Sequence, residues 1–577
     1  MRVTFVTDEL LGYTRTGGLG TATTFLALAL GRLGHQVEVL YGSEPPASPL
    51  DEHWARLYDE AGVGIRMLPR SDVRVEPSYF GRMRDVELAL AADPPDVVIT
   101  QDLAAPAYTA IRMRALGLAF DETLFVVYCH GTRQWITDAA RKVRVLPGAL
   151  GITLLEQASI ELADVVVSPS QHLVDWMQQQ RWRLPRDTRV IPYLTRAGVT
   201  NEPQPSVDLV AEHVNRLGYF GRLEERKGIG LFVEALNAIP AELLNAVEVE
   251  FIGRPTPAWT PERVRALLPR HLSVSFKTDL DQPEALARLS RPGTLIVMPA
   301  LTDNSPNTVY ECIEHGIPLI ASNVGGIPEL IAPDDRQRVL FEPTARGVEV
   351  ALRTALTSAE GVRPARAAFD SAASLAAWSD VVETRTASRA PAETELPGVG
   401  ASGPFVLRLG ADDEAHPDLV ETLRRAQAAS GADIVSCGVR VRDTGGETLH
   451  LFHGDPGGLG LLFNGYGTVA LIRRSLLGDK DVVDWPLLAR LSVSGARVVS
   501  VPAPLVTSST RPSSLDRDPA NALRVAEVFD RALPEALRSL ARLATGLAAA
   551  AAEPDPAAIR AKRRPRLRAA ILRRTLK

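Results

Sequence analysis

The stretch DNSPNTVYECIEHGIPLIASNVGGIPELI runs from Asp303 to Ile331 and follows the apolar run TLIVMPAL. The order is strand, loop, helix and strand, which is one parallel βαβ unit. Ligands of such sheets lie beyond the carboxyl ends of the strands. Asp303 and the backbone of Ser305, Pro306, Asn307 and Thr308 are therefore expected at a ligand-facing edge, with Glu311 on the helix that follows. A carboxylate there can accept two hydroxyls of a sugar, and backbone N–H groups at a helix start can meet phosphate oxygens. The plainer alternatives also stand: Asp303 as a loop or capping acid, Glu311 as an exposed helix acid.

Three further groups have the composition of ligand contacts. In TRTGGLGTATTFLALAL, Gly17, Gly18 and Gly20 let a backbone approach a ligand at the start of a helix whose dipole favours anions. The pattern is not G-x-G-x-x-G, and a tight turn without a ligand explains it as well. In GYFGRLEERKGIGLFVEAL, Arg222 and Lys227 flank a strand-to-helix loop, where two cations can neutralise a diphosphate and its developing charge as a leaving group. Surface pairing with Glu224 and Glu225 is the alternative. His130 ends the strand-like run TLFVVYCH, where it can hydrogen-bond a sugar or an oxyanion, or simply be a satisfied structural histidine.

The elements that must position these residues alternate. RVTFVT, QVEVLY, DVVITQD, TLFVVYCH, ADVVVSPS and TRVIPY are strand-length β-branched runs separated by helical stretches such as Gly20–Leu33 and Leu154–Leu162. After the polar NEPQPSVD linker the alternation restarts with RLGYFGRL, VEVEFIG, LSVSFKT, TLIVMPA, IPLIASN and RVLFEP. This is an α/β chain with two Rossmann-like domains facing a cleft. The expected division is 1–200 and 201–365, a helix over 366–385 crossing back to the first domain, a linker over 386–404, a smaller α/β region over 405–510 and a helical basic tail over 511–577.

The totals of the 577 residues agree with a globular chain: 45% hydrophobic, 23% charged, net charge −5. No basic domain points to nucleic acid. Three scattered cysteines, Cys129, Cys312 and Cys437, argue against a disulfide framework and for a reducing compartment. No signal-peptide pattern opens the chain, and no window reaches the ~18 apolar residues of a membrane span. The expected location is cytoplasmic, with the basic tail RAKRRPRLRAAILRRTLK either solvated or in contact with an anionic membrane surface.

Taken in order, GGLG, the strand-end histidine, SPS at 168–170, GRLEERKG and the acid-x7-Glu loop with HGIPLIASNVGGIPE resemble retaining GT-B glycosyltransferases of family 4 over roughly residues 1–385. The resemblance implies sugar transfer from a nucleoside-diphosphate sugar to an acceptor hydroxyl, without a metal or other cofactor. It implies Gly18 near the donor phosphates, His130 and Asp303 near the donor sugar, Arg222 and Lys227 on the diphosphate, and Glu311 on the ribose. The family usually has Glu where this chain has Asp303, so the carboxylate is one methylene shorter. Epimerases, pseudo-glycosyltransferases and non-catalytic sugar-nucleotide-binding subunits share the architecture.

The C-terminal third resembles the middle of a family-2 GT-A glycosyltransferase that has lost its chemistry. Gly410-Ala411-Asp412 replaces the metal-binding Asp-x-Asp, and Val483-Asp484-Trp485 replaces Glu-Asp-Trp. A metal on Asp412 and Asp413 or two solvated loop acids are both open. A unit stripped of its metal ligand and base is expected to serve scaffolding, homo-oligomerisation or acceptor recognition. Neither the donor base and sugar nor the acceptor is legible.

Overall fold

The computed structural model describes residues 1–13, 17–43, 49–140, 147–199, 213–384, 396–400, 403–410, 413–443, 446–478, 481–509 and 519–532. The expected linker NEPQPSVD, most of the expected 386–404 linker, Asp412 and the basic C-terminal tail lie outside these residues.

Two units are distinguished. The first comprises residues 1–70, 82–112 and 120–388, and it contains two all-parallel sheets. The strands of the first sheet are Arg2–Thr7, Gln36–Tyr41, Val63–Met67, Val97–Gln101, Leu124–Tyr128, Val165–Ser168 and Asp187–Val190. Counted along the chain within the sheet, they lie in the order 3-2-1-4-5-6-7. The second sheet holds Arg216–Phe220, Glu248–Ile252, Ser273–Lys277, Thr294–Met298, Leu319–Ser322 and Leu340–Phe341, in the order 3-2-1-4-5-6. This is the doubly wound arrangement, and its order reverses between strands 1 and 4. Strands buried on both faces must read as continuous apolar runs, which is why LFVVY and TLIVM are buried at every position.

The reversal point positions the site. In the second sheet Arg216–Phe220 pairs directly with Thr294–Met298. The loops leaving their carboxyl ends are GRLEERKG and PALTDNSP, so residues far apart in sequence leave the sheet side by side. One apolar core joins the two sheets, with Val3, Phe5 and Val126 in the same cluster as Ile296, Leu319 and Ala321. The helix Ser371–Glu383 adds Trp378, Val381 and Val382 to that core. Its Trp378 ring meets Tyr128 edge-on, Ser371 bonds Thr195 at 3.0 Å, and Asp380 pairs with Arg189.

The second unit is residues 71–81, 113–119 and 389 onward. Its mixed sheet is centred on Ile434–Asp443, which runs antiparallel to Gly446–His450 and Ala470–Arg473 and parallel to Val498–Ser508. The strand Arg74–Glu76 joins this sheet beside Gly446–His450. Leu116 joins its core with Val439 and Leu471. Membership of residues 71–81 and 113–119 was not legible in the sequence, because a three-residue strand leaves no periodicity to read. All three cysteines are buried and free. Among the described residues, no helix is long and apolar enough to cross a membrane.

Candidate active site

The centre of the cleft is an ion cluster on Asp303. This residue is 8% exposed; its Oδ2 accepts from Lys227 Nζ and its Oδ1 lies 3.3 Å from Arg226 Nη1. Burial alone would raise the Asp303 pKa, but Lys227 and then Arg226 outweigh it and hold the carboxyl below its ordinary value. Arg226 reaches back to Glu224 at 3.0 Å and to the Thr302 carbonyl at 3.4 Å. The loop is clamped from below by Tyr219, whose hydroxyl donates to the Arg222 carbonyl at 2.9 Å. Gly228 closes it with φ +73°, and a Cβ there would lie 1.6 Å from the Pro299 carbonyl oxygen, so only glycine fits.

Three helix starts lack side-chain caps. The helix Gly18–Arg32 begins at Gly17, the helix Ile229–Ala238 at Gly228 and the helix Asn307–Glu314 at Pro306, none of which supplies a capping side chain. Elsewhere, Asp51, Thr132, Ser170, Thr260, Asp281 and Thr344 each cap a helix with a side-chain oxygen. Helix starts without such caps keep N–H donors available to an anion. The Asn307 amide donates to the Gly18 carbonyl at 3.3 Å, so two of these starts face one another. Gly17 lies against the Arg222 guanidinium, with a Cβ placed there 3.9 Å from Nη2. Gly20 is buried within the first helix.

His130 sits on the opposite wall. Its backbone N–H and that of Gly131 donate to the fully buried Asp102 at 3.0 and 2.9 Å. Its Nδ1 meets Tyr193 Oη at 2.8 Å, while Nε2 is buried without a hydrogen-bond partner. Burial pushes the imidazole down to about 3, so the ring is neutral. Asn304 crosses the cleft: Nδ2 donates to the His130 carbonyl at 3.3 Å and Oδ1 accepts from Ser170 Oγ. Gly325 and Gly326 admit this loop, since Cβ atoms there would lie 1.8 Å from the Asp303 carbonyl oxygen and 1.9 Å from that of Asn304.

Other expected residues have local duties. Ser305 Oγ bonds Tyr310 Oη at 2.9 Å, and Thr308 Oγ1 contacts the Met298 sulfur at 3.7 Å. Arg222 stands apart from the Asp303 cluster, 3.6 Å from Glu224 and half-exposed. The surface-pair alternative thus describes Arg222 in part, but not Lys227. Glu311 is partly buried rather than exposed and accepts from the Gln282 amide. Burial, only partly offset by Gln282 and Arg196, raises it to about 7. The sequence reading missed Arg226, Asn304, Asp102 and Gln282. Arg226 was visible as a third cation in GRLEERKG; the others carry no spacing signal.

Residues 16–193 match the sequence profile of Glycosyltransferase Family 4, and residues 214–358 match that of Glycosyl transferases group 1. One profile thus falls on each parallel sheet. The chain is a glycosyltransferase with a GT-B-like fold. It is 23% identical over 389 residues to the MMP alpha-(1->4)-mannosyltransferase of Mycolicibacterium hassiacum, covering 58% of this chain and 85% of that protein. Among solved structures, a sucrose-phosphate synthase from Thermosynechococcus elongatus aligns with TM-score 0.48 and 19% identity, over 66% of this chain and 96% of that one. WaaG, a glycosyltransferase of lipopolysaccharide biosynthesis, aligns with TM-score 0.44 and 17% identity, over 66% and 94%.

In this glycosyltransferase two acids of the C-terminal unit, Asp484 and Asp413, have structural partners. Asp484 caps the helix Trp485–Val493 through Leu487 N–H at 2.9 Å and pairs with Arg524 at 2.9 Å. Asp413 accepts from Gly410 N–H at 2.8 Å.

Proposed function

We propose that the cleft binds a nucleoside-diphosphate sugar and transfers its sugar, with retention of configuration, to an acceptor hydroxyl. The supporting observation is the pairing of Lys227 and Arg226 with Asp303 in the segment that runs into the uncapped helix starts at Gly228 and Pro306, together with Arg222 against the uncapped start at Gly17. Two cations and three sets of N–H donors suit a diphosphate and the charge it gains on leaving. On this reading the diphosphate draws Lys227 and Arg226 toward its oxygens, and Asp303 turns to the sugar hydroxyls. Glu311 takes the ribose. Attack comes from the face that the diphosphate leaves, and the departing phosphate oxygen takes the acceptor proton. The neutral His130, held by Asp102 and Tyr193, presents Nε2 to the sugar. Arg222, beside Gly17, closes on the outer phosphate oxygens. The protein's own cations and helix starts supply the positive charge, so the reading requires no metal.

The C-terminal unit is read as a GT-A relative that has lost catalysis and serves scaffolding, acceptor recognition or self-association. The employment of Asp484 as a helix cap supports loss of the catalytic base. The basic tail is read as either solvated or in contact with an anionic membrane surface, and the chain as cytoplasmic.

The test is a thermal-shift panel of UDP, GDP, ADP, TDP and CDP on the wild type and Lys227→Ala. A ligand at about 100 times its dissociation constant adds ~2.7 kcal/mol to the folded state. One diphosphate is expected to stabilise the wild type and not the variant. Stabilisation by none of the five would overturn the reading.

A further inference from the structure

Gln282 is the first residue of the helix Gln282–Leu289, which Asp281 and Glu284 start with a capping box. Its side-chain amide turns inward. Nε2 donates to Glu311 Oε1, while Oε1 is buried with no hydrogen-bond partner. The contact with a carboxylate sets the orientation of the amide, because only the NH2 end can donate. Its oxygen is therefore held as an acceptor beside Glu311, and buried polar atoms are rarely left unmatched in a native protein. Gln282 and Glu311 line one narrow cavity together with Thr21, Asn307 and Tyr310. Asn307 also bonds Gly18, so this cavity adjoins the helix starts assigned to the diphosphate. Two acceptors side by side, one anionic and one neutral, complement two adjacent donors, and a vicinal diol is such a pair.

We propose that Gln282 is a specificity-determining residue that accepts one hydroxyl of the donor's ribose while Glu311 accepts the other. The site then reads the nucleoside as a ribonucleoside. This deepens the nucleotide-sugar reading and rests on it. A site built to hydrogen-bond a hydroxyl discriminates strongly against the analogue lacking it, because its own buried acceptor is left unmatched. Gln282 touches neither the transferred sugar nor the phosphates on this assignment, so it sets which nucleoside binds rather than the rate of transfer.

The experiment uses the full chain. Whichever of UDP, GDP, ADP and CDP binds is compared by calorimetry with its 2′-deoxy and 3′-deoxy counterparts, on the wild type, Gln282→Met and Gln282→Leu. Circular dichroism and thermal melting of each variant verify folding. In the wild type both deoxy compounds are expected to bind at least tenfold more weakly than the ribonucleotide. In either folded variant one of the two ratios is expected to fall below threefold, while the other, set by Glu311, persists. If the ribonucleotide binds but both ratios survive in the Gln282 variants, or neither exists in the wild type, the assignment of Gln282 is overturned. If only TDP binds, the assignment of Gln282 is overturned; if none of UDP, GDP, ADP, CDP and TDP binds, the nucleotide-sugar reading itself fails.

Discussion

The Lys227 ammonium pairs with the Asp303 carboxylate across 76 positions of sequence, because the strands that precede them are neighbours at the reversal point of the second sheet. Both side chains are largely buried, at 20% and 11% exposure. Removing one member of such a pair strands the other and costs about 3–5 kcal/mol. Lys227→Met is therefore expected to lower the stability measured by urea unfolding by that order, moderated by the remaining Arg226 contact. The double variant Lys227→Met, Asp303→Asn should lose less than the sum of the single losses, with a coupling of roughly 0.5–3 kcal/mol. Additive losses would show that the pair is not coupled.

Asp303 also serves the transfer reading. Asp303→Asn keeps the size of the side chain and removes its charge. Its kcat is expected to drop by roughly 10²–10³ with the nucleoside diphosphate still bound, the scale seen when one transition-state contact is lost. Unchanged kcat in the steady state would remove Asp303 from the chemistry.

Glu311 predicts a pH dependence of two opposite signs. Its pKa is raised from 4.5 to about 7, chiefly by burial, with Gln282 and Arg196 acting in the other direction. Glu314 on the same helix is raised to about 7 as well, by burial and by Glu311, with Thr195 opposing. For a raised carboxylate the stability contribution is full below about 4.5 and is lost as pH rises through 7. Thermal unfolding of the unliganded protein should thus lose this contribution between about pH 4.5 and 7. Donor affinity should move oppositely, strengthening up to about tenfold per pH unit below 7, because the ribose hydroxyls need the ionised acceptor. In Glu311→Gln the donor titration should become flat across that range.

Asn304 ties the Asp303 loop to the His130 carbonyl and to Ser170. Asn304→Ala should leave the donor-loop cations in place but loosen their position relative to His130. A fall in kcat of roughly tenfold or more is expected, since small misplacements of reacting groups are costly. Asn304→Asp retains Oδ1 as an acceptor for Ser170 and should recover part of the loss.

Asp484 separates structure from catalysis in the C-terminal unit. Asp484→Ala removes a helix cap and is expected to cost about 1 kcal/mol. Transfer activity at a temperature well below unfolding should be unchanged. Loss of activity in the folded variant would return a catalytic role to this unit.

The alternation of β-branched runs with helices was enough to read two Rossmann-like domains, since a strand covered on both faces must be apolar throughout and helices must separate parallel strands. GGLG, GRLEERKG and the loop from Asp303 to Glu311 were legible because backbone approach and charge neutralisation demand particular residue types at particular loop positions. What the chain order could not contain was partnership. The reversal of strand order brings Asp303 to Lys227 and Arg226, while Arg222 lies against Gly17 and Glu224. Burial converts Glu311 from a surface acid into a carboxyl with a pKa of about 7 held by Gln282. Asn304, Asp102 and Gln282 gained their roles only from neighbours more than 25 positions away, and contacts at that distance leave no local pattern. Residue types are local and follow the backbone's needs. Which charge meets which, and which polar atom is left waiting, is settled by packing in three dimensions.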